Sequence, residues 1–237
     1  MMTVENLVKR FGKVTAVDGV GFTARDGEIT TLLGANGSGK TTTLVSLVGL
    51  YRPDQGRALI DGVDALAQPR AARRALGWFP DAFGLYPRLT SREHLRYYAR
   101  LHGLSGPALE TAIAETMALL GMEEIADRRT EGFSTGQQMK VALGRALVHK
   151  PRNLILDEPT RGLDVMSIRL LRETLRALKR EGRCILLSSH VMAEVEELSD
   201  RVVCIARGRI VADSTPAELI ASTGAATLED AFVRVAA

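Results

Sequence analysis

Residues 28–50 read EITTLLGANGSGKTTTLVSLVGL, an apolar strand-like run and a helical run joined by a glycine-rich loop. The loop fits the pattern G-x-x-x-x-G-K-[ST] at every fixed position between Gly34 and Thr41. In such a loop the backbone N–H groups turn inward around phosphates, Lys40 reaches the β- and γ-phosphates, and the Thr41 hydroxyl can ligate Mg²⁺. Because both flanks that this mechanism requires are present, we expect a nucleotide-binding loop. An ordinary glycine-rich turn is the alternative.

The composition is that of a folded α/β protein. With 237 residues, 46% of them hydrophobic, the chain can bury a full core, either as one large domain or as a core with a small subdomain. The formal net charge is only +3, and basic residues are interspersed with acidic ones. This pattern gives little indication of nucleic-acid binding, and we expect no nucleic acid among the partners.

The N-terminal residues contain no apolar signal segment, and no apolar run approaches the roughly 20 residues of a membrane-spanning helix. We therefore expect the chain to stay in the cytosol. Cys184 and Cys204 lie in apolar, strand-like runs without the paired spacing of a zinc site. They are expected to be buried thiols.

Strand-like and helical runs alternate along most of the chain, as expected for a parallel sheet covered by helices. Between residues 89 and 130 only helical patterns occur. We therefore predict a helical subdomain at 89–130, inserted into an α/β core made of residues 1–88 and 131–237. Residues 201–214, RVVCIARGRIVADS, predict two strands joined at an Arg-Gly turn, and a helix with Pro216 near its start follows.

Two adjacent carboxylates follow the apolar run NLIL at residues 153–156. Asp157, at the strand, suits a Mg²⁺ ligand, and Glu158, at its tip, suits a base that polarises or orients the attacking water. Acidic residues commonly end strands, so an ordinary polar turn is the alternative. The phosphate loop elsewhere in the chain favours metal binding and catalysis.

His190 ends another apolar run, CILLSSH, just before a predicted helix. A histidine in this position can simply cap the helix. Ligands of open α/β sheets, however, collect at the carboxyl ends of the strands. If the run is a strand of the same sheet, His190 lies beside the γ-phosphate and can sense or hold it.

Residues 133–147, FSTGQQMKVALGRAL, predict a helix capped by Ser134, with Gln137 three residues later to complete a capping box. The N-terminus of a helix carries a partial positive charge and binds phosphate. This helix is therefore a second candidate anion site in a chain whose phosphate loop is already complete. A plain capping box is the alternative.

These motifs, in this order and over nearly the whole chain, resemble those of the nucleotide-binding subunit of ABC transporters. The segment GANGSGKT matches the Walker A loop, FSTGQ the signature motif usually written LSGGQ, NLILDE the Walker B strand with its catalytic glutamate, and GLD the D-loop. His190 matches the switch histidine. The resemblance implies a P-loop NTPase fold of the ABC-ATPase type, with a mainly parallel sheet core, an antiparallel β subdomain and an inserted helical subdomain. It also implies hydrolysis of ATP with Mg²⁺.

The same resemblance assigns site residues. Phe11 matches the aromatic position that stacks on adenine, with Val17 packed nearby; a core residue of the first hairpin is the alternative for Phe11. The residues implied to bind ATP are Phe11, Val17, Gly34, Ala35, Asn36, Gly37, Ser38, Gly39, Lys40, Thr41, Thr42, Ser134, Gly136 and Gln137. Those implied to act in catalysis are Lys40, Glu158 and His190, and those implied to hold Mg²⁺ are Thr41, Asp157 and Asp81.

The chain departs from the family pattern at two places. ABC ATPases usually carry a glutamine where the core meets the helical subdomain, and this sequence has Asp81 there. A carboxylate can approach Mg²⁺ or accept a hydrogen bond from water, but it is one methylene shorter, charged, and donates no N–H. In the signature motif, Phe133 replaces Leu and Thr135 replaces the first Gly, changes that we expect to be tolerated.

In ABC ATPases two subunits join head to tail, so Ser134, Thr135, Gly136 and Gln137 are expected to bind the γ-phosphate held by the other subunit. The chain has one copy of each motif, so the resemblance requires a second copy or a homologous ATPase subunit. It also implies a separate integral membrane permease at the cytoplasmic face of the membrane. The segment PDAFGLYPRLTSREHLRYYARLHGL looks most like the NatA-type branch, associated with sodium extrusion and related exporters.

Two other functions compete with this interpretation. A soluble ABC-type ATPase acting on nucleic acid or ribosomes uses the same ATP chemistry, but such proteins resemble tandem-domain chains or carry long coiled-coil insertions, and neither feature is present. A regulatory protein that binds nucleotide without hydrolysing it is opposed by Glu158 and His190. We therefore expect an ATP-hydrolysing transporter subunit.

Overall fold

Ten strands form two sheets in the computed structural model, which describes residues 1–237. The strands are β1 Met2–Phe11, β2 Val14–Ala24, β3 Ile29–Leu33, β4 Gln55–Ile60, β5 Val63–Asp64, β6 Leu76–Phe79, β7 Asn153–Leu156, β8 Cys184–Ser189, β9 Arg201–Ala206 and β10 Arg209–Ser214. The helices are α1 Lys40–Leu47, α2 Pro69–Arg74, α3 Ser91–Leu101, α4 Gly106–Leu120, α5 Thr135–Leu147, α6 Val165–Arg180, α7 Met192–Leu198, α8 Pro216–Thr223 and α9 Leu228–Ala236, with a 3₁₀ turn at Glu123–Ile125.

The larger sheet has six strands in the order β10-β9-β3-β8-β7-β6. All neighbouring pairs are parallel except β10 with β9. Every residue of β3, β7 and β8 is buried. Strands covered on both faces read as continuous apolar runs, which explains why these segments show no alternation in the sequence. The predicted parallel core and the terminal β9-β10 hairpin are confirmed.

The smaller sheet has four strands in the order β2-β1-β4-β5, and all of its pairs are antiparallel. Its buried side chains, such as Val20 and Phe22, share one apolar cluster with Leu44 of α1 and Ile155 of β7. The antiparallel sheet therefore packs over α1, on one face of the parallel sheet. This arrangement confirms the antiparallel β subdomain implied by the family resemblance.

Between residues 89 and 130 the chain forms α3, α4 and the 3₁₀ turn, with a single isolated bridge from Thr90 to Arg129. Thr90 and Glu93 form a capping box at the start of α3. Leu95 and Ile113 from this region share a cluster with Met139 of α5, so α5 packs on the inserted helices. The boundaries at residues 89 and 130 stay a prediction.

Cys184 and Cys204 are free, buried thiols, as expected. Burial raises the pKa of each to about 12, so both stay protonated near neutral pH. None of the helices combines the length and the apolar character that crossing a membrane requires.

Candidate functional site

The predicted phosphate loop connects the buried end of β3 to the first turn of α1. Two of its glycines, Gly34 and Gly39, are required by the close approach of neighbouring backbone. A Cβ on Gly34 would lie 2.5 Å from the Ile205 carbonyl oxygen, and one on Gly39 would lie 2.6 Å from that of Ala16. Gly39 also has φ of 109°, a backbone conformation that residues with a side chain rarely adopt. The loop therefore lies against the neighbouring backbone and turns sharply into the helix.

Lys40 is the first residue of α1, and its side chain is only 5% exposed. Its Nζ donates to the carbonyl oxygen of Gly34 at 2.7 Å and to that of Ala35 at 3.3 Å, and lies 3.2 Å from Glu158 Oε1. A buried ammonium group requires hydrogen bonds and an opposite charge, and this one has both. Lys40 therefore places a positive charge between the phosphate loop and the acidic pair that follows β7.

The loop also contains a polar atom with no partner within the chain. Ser38 Oγ is buried and makes no hydrogen bond. Burying a hydroxyl without a hydrogen bond normally costs free energy. Ser38 faces a cavity on the Ile205 side of the loop, so the groups that fit a bound phosphate are the Lys40 ammonium group and the N–H groups at the start of α1.

Asp157 follows β7 directly and is almost completely buried, with 1% exposure. Its Oδ1 accepts hydrogen bonds from Ser188 Oγ at 2.6 Å and from Thr41 Oγ1 at 3.3 Å. Burial raises the pKa of the Asp157 carboxyl, while the two hydroxyl donors favour its charged form. Carboxylate and hydroxyl oxygens are the donors that Mg²⁺ takes, so Thr41 and Asp157 fit a magnesium site.

Glu158 links the predicted catalytic residues to one another. Its Oε1 lies 3.2 Å from Lys40 Nζ, and its Oε2 lies 2.7 Å from His190 Nδ1. The backbone of Glu158 has φ of 46°, in the left-handed region that non-glycine residues rarely adopt, and its N–H donates to Ser188 Oγ at 2.9 Å. Strained backbone of this kind tends to cluster at functional sites. The turn therefore directs the Glu158 carboxylate towards the phosphate loop.

His190 lies between β8 and α7, and the residue that caps α7 is Val191. The alternative that His190 caps this helix is therefore wrong. Its ring instead contacts Glu158, and it also borders a cavity that Gly34, Ala35 and Asn36 line. The structure thus brings a strand-end histidine to the phosphate loop.

A groove of about 340 Å³ lies along the phosphate loop. Its lining residues are Phe11, Ala16, Asn36, Gly37, Gly39, Lys40, Thr41, Thr42, Asp81, Glu158 and Arg161. Gly34, Ala35 and Ser38 belong to the same loop but face neighbouring cavities. Most of the residues assigned by the Walker A match therefore lie on one concave surface.

At one end of the groove, the Phe11 side chain is 45% exposed and its ring meets Tyr51 edge to face at 5.4 Å. The alternative that Phe11 is a core residue is therefore wrong. Val17, in contrast, is fully buried. Contrary to its expected role in ATP binding, its side chain does not line the groove, where Ala16 lies instead. Val17 packs in the apolar cluster beneath the smaller sheet.

Asp81 lines the groove, but it does so as half of an ion pair. Arg161 Nη1 donates to both of its carboxylate oxygens, at 2.8 and 3.1 Å. Sequence reasoning missed Arg161, because its side chain meets Asp81 only through the pairing of β6 with β7. The only signal in the sequence is the presence of a basic residue, Arg161, three residues after Glu158. A role for Asp81 as a metal ligand stays a prediction.

The signature residues lie apart from this groove. Ser134 Oγ accepts a hydrogen bond from the Gln137 N–H at 3.3 Å, and Gln137 Oε1 accepts one from the Ser134 N–H at 3.2 Å, which forms the predicted capping box. Gly136 is buried against α6, where a Cβ would lie 2.2 Å from Ser167 Oγ. None of these residues lines the groove along the phosphate loop of the same chain.

A second, mainly apolar cavity of about 430 Å³ lies where the parallel sheet meets the inserted helices. Its walls include Leu50, Trp78 and the stacked rings of His102 and His149, whose centroids are 3.5 Å apart. Burial, with a smaller contribution from His102, lowers the pKa of His149 to about 4. Pro80 and Ala82, the neighbours of Asp81 in the sequence, line the same cavity.

Comparisons with protein families, with curated proteins and with solved structures all lead to ATP-binding proteins of ABC transporters. The sequence model of the ABC transporter family matches residues 17–161. The ABC transporter ATP-binding protein NatA of Bacillus subtilis (strain 168) is 40% identical over 216 residues, which span 89% of this chain and 88% of NatA. The linearmycin resistance ATP-binding protein LnrL of the same organism is 36% identical over 96% of this chain and 73% of its own length. A solved ATP-binding subunit of an ABC transporter is 31% identical and superposes with a TM-score of 0.91 over 99% of both chains.

Proposed function

The chain belongs to the ABC transporter family, and we propose that it hydrolyses ATP in the groove along the phosphate loop to power export through a separate membrane subunit. ATP binding and ATPase activity are general to this family, and the likeness to NatA and to a solved ATP-binding subunit covers nearly the whole chain. The observation that carries the assignment of the site is the contact of Glu158 with both Lys40 and His190, beside the phosphate loop.

In this proposal the loop N–H groups and Lys40 bind the β- and γ-phosphates. Thr41 and Asp157 hold Mg²⁺, which neutralises phosphate charge when bound. Glu158 accepts a proton from water as the water oxygen attacks the γ-phosphorus, and the bond from that phosphorus to the β–γ bridging oxygen breaks. His190 donates its Nδ1–H to the Glu158 carboxylate, and so fixes its orientation.

Two substitutions test the assignment. Lys40→Ala removes the only ammonium group at the loop and should weaken ATP binding by more than about tenfold, measured by calorimetry. Glu158→Gln should still bind ATP but lower kcat by about 10²- to 10⁴-fold in a phosphate-release assay, because the base is lost. Glu173→Gln, at an exposed carboxylate on α6, is the matched control and should leave kcat unchanged. A Glu158→Gln protein as active as this control contradicts the proposed base.

We also propose that the signature helix acts on nucleotide held by a second copy or a homologous subunit. The N-terminus of α5 lies outside the groove of its own chain, yet Ser134, Thr135 and Gly136 begin a helix of 13 residues whose first N–H groups suit a phosphate. A head-to-tail pair would place each signature helix on the other chain's groove. ATP with Glu158→Gln should then hold two chains together, which light scattering measures, and a monomer under these conditions contradicts the dimer.

The partner in the membrane is proposed to be a permease, with this chain at the cytoplasmic face and no nucleic acid involved. The relatives include proteins named for linearmycin resistance and for Nod factor export, which supports an exporter. The resemblance of residues 80–104 to the NatA-type branch makes sodium the first solute to test. Sodium-dependent ATPase activity of the reconstituted complex measures this, and activity that responds only to another solute rules sodium out.

We place the permease contact at the apolar cavity that adjoins Asp81, since an occupant there touches both the inserted helices and the residues flanking the groove. Leu50 lines this cavity and is 60% exposed, whereas Leu101 is 64% exposed and does not line it. Leu50→Glu should abolish co-purification with a co-expressed membrane permease that the wild-type chain binds, and Leu101→Glu should not. Equal recovery with both variants contradicts this location.

A further inference from the structure

Four charged side chains line the groove, and they form two ion pairs. Lys40 pairs with Glu158 at 3.2 Å, and Arg161 pairs with Asp81 at 2.8 Å. Two basic and two acidic side chains make the formal charge of the lining zero, and the buried Asp157 lies directly behind it. A groove that receives a polyanion therefore holds its acidic side chains next to matching cations.

The Asp81–Arg161 pair is set up by the parallel sheet. Asp81 lies two residues after β6, and Arg161 lies in the turn that follows β7, the neighbouring strand. The Asp157 N–H donates to the Phe79 carbonyl oxygen at 2.9 Å, which fixes the relative position of the two strand ends. The Arg161 N–H in turn donates to the Glu158 carbonyl oxygen at 3.1 Å. The guanidinium group is therefore held on the same turn as the proposed base.

We propose that Arg161 is a positioning residue for ATP binding, which holds and neutralises Asp81 so that the groove accepts the triphosphate. Without Arg161, the Asp81 carboxylate would add an uncompensated negative charge to a surface that already contains Asp157 and Glu158. Both members of the pair are partly exposed, at 66% and 38%. Exposed ion pairs contribute little to folding stability. We therefore expect this pair to act mainly on ligand binding, through the electrostatic potential that it sets in the groove. The inference rests on the proposed nucleotide site.

The test uses the affinity for ATP measured by calorimetry in EDTA, which separates charge from any contact with Mg²⁺. Arg161→Gln should weaken ATP binding about tenfold at low ionic strength, and Asp81→Asn should strengthen it by a similar factor, because the two changes move the groove charge in opposite directions. The double variant should return close to the wild-type affinity. Arg161→Lys keeps the charge and should stay within about threefold of wild type. Raising the salt concentration should shrink every difference.

The pair Arg92–Asp127 is the matched control, since it is also an exposed Arg–Asp pair with contacts of 2.8 and 3.3 Å, and it lies outside the groove. Arg92→Gln and Asp127→Asn should leave ATP affinity unchanged. Single changes at Arg161 and Asp81 that shift affinity in the same direction, or a double variant no closer to wild type than Arg161→Gln, overturn the inference. If a thermal melt shows that Arg161→Gln does not fold, Asp81→Asn and Arg161→Lys still show whether the negative charge of Asp81 weakens ATP binding. A wild-type chain that does not bind ATP at all contradicts the proposed function instead.

Discussion

Replacing Ser188 by alanine tests the hydrogen-bond network that holds the two acidic residues. Ser188 is fully buried, and its Oγ donates to the Asp157 carboxylate at 2.6 Å and accepts from the Glu158 N–H at 2.9 Å. A hydrogen bond to a charged group contributes about 1.5–3 kcal/mol and a neutral one about 1 kcal/mol. Ser188→Ala leaves Asp157 with the Thr41 hydroxyl at 3.3 Å and leaves the Glu158 N–H without a side-chain partner. We therefore expect the free energy of unfolding to fall by about 3 kcal/mol.

Catalysis should suffer as well, because the same hydroxyl orients a proposed metal ligand and supports the strained turn at Glu158. Loss of such supporting partners typically costs about 10- to 100-fold in metal affinity or activity, so the Mg²⁺ concentration needed for half-maximal ATPase rate should rise by about that factor. Urea unfolding followed by circular dichroism measures the free energy of unfolding. Phosphate release titrated with Mg²⁺ measures the Mg²⁺ concentration needed for half-maximal ATPase rate.

The control for Ser188→Ala is Ser46→Ala. Ser46 is also fully buried, but its hydroxyl donates only to the Thr42 carbonyl oxygen one turn earlier in α1, at 2.8 Å. Losing this neutral bond within a helix should cost less than about 1 kcal/mol. If the two variants unfold at the same urea concentration with the same Mg²⁺ dependence, the network does not hold the acidic pair in the way argued.

Three further changes probe other parts of the structure. Phe11→Ala should weaken ATP binding about tenfold while Phe11→Trp retains it, since base–aromatic stacking contributes roughly 1–3 kcal/mol; equal calorimetric affinities for both variants exclude stacking. Burial lowers the pKa of His149 from 6.5 to about 4. Between these pH values the unfolded chain therefore binds a proton that the folded chain does not. The free energy of unfolding should fall by about 3 kcal/mol as the pH is lowered from 6.5 towards 4. Urea unfolding of His149→Gln should show a weaker pH dependence over that interval, and an unchanged dependence would assign it to other groups. Gly77→Ala places a Cβ 2.4 Å from the Ala146 carbonyl oxygen and should lower the unfolding free energy by about 2 kcal/mol; a urea midpoint equal to wild type contradicts that close approach.

The elements that could be predicted from the sequence are those whose signal is local. The phosphate loop requires a strand, glycines, a lysine and a helix in immediate succession, so the sequence predicts its position. The capping box of Ser134 with Gln137 can be predicted as well, because its two residues are only three positions apart. His190, at a strand end, is predicted to lie beside the γ-phosphate, where Glu158 is predicted to act on the attacking water, because ligands of open α/β sheets collect at the carboxyl ends of the strands. Their 2.7 Å contact agrees with that reasoning.

What the sequence could not reveal depends on contacts between distant segments. The pairing of Arg161 with Asp81 follows from the register of β6 against β7 and from a turn with unusual backbone geometry at Glu158. Ser188 reads as an ordinary small residue in an apolar run until β8 is placed beside β7. The expected position of Val17 at the nucleotide could not be checked from the sequence, because successive side chains of a strand point to opposite faces. In the structure the Val17 side chain enters the core, while Ala16 faces the groove.

We propose that each catalytic site is shared between two chains, and mixing two inactive variants tests this sharing. Ser134→Arg blocks the helix N-terminus that would complete the partner's site but leaves its own phosphate loop intact. Lys40→Ala disables the loop but leaves the signature helix intact. In a mixed dimer one site carries both lesions and the other carries neither, so an equal mixture should recover about a quarter of wild-type ATPase activity if the two sites work independently.

A heterodimer of wild type with the double variant Lys40→Ala/Ser134→Arg, purified away from the active wild-type homodimer by two different affinity tags, is the control, because it carries one lesion in each site and should be inactive. Native mass spectrometry confirms that the mixed dimers form. A shared site should give recovery of activity in the first mixture and none in the control. An inactive first mixture together with an active control would show that Ser134 serves the nucleotide of its own chain, and would contradict the shared site.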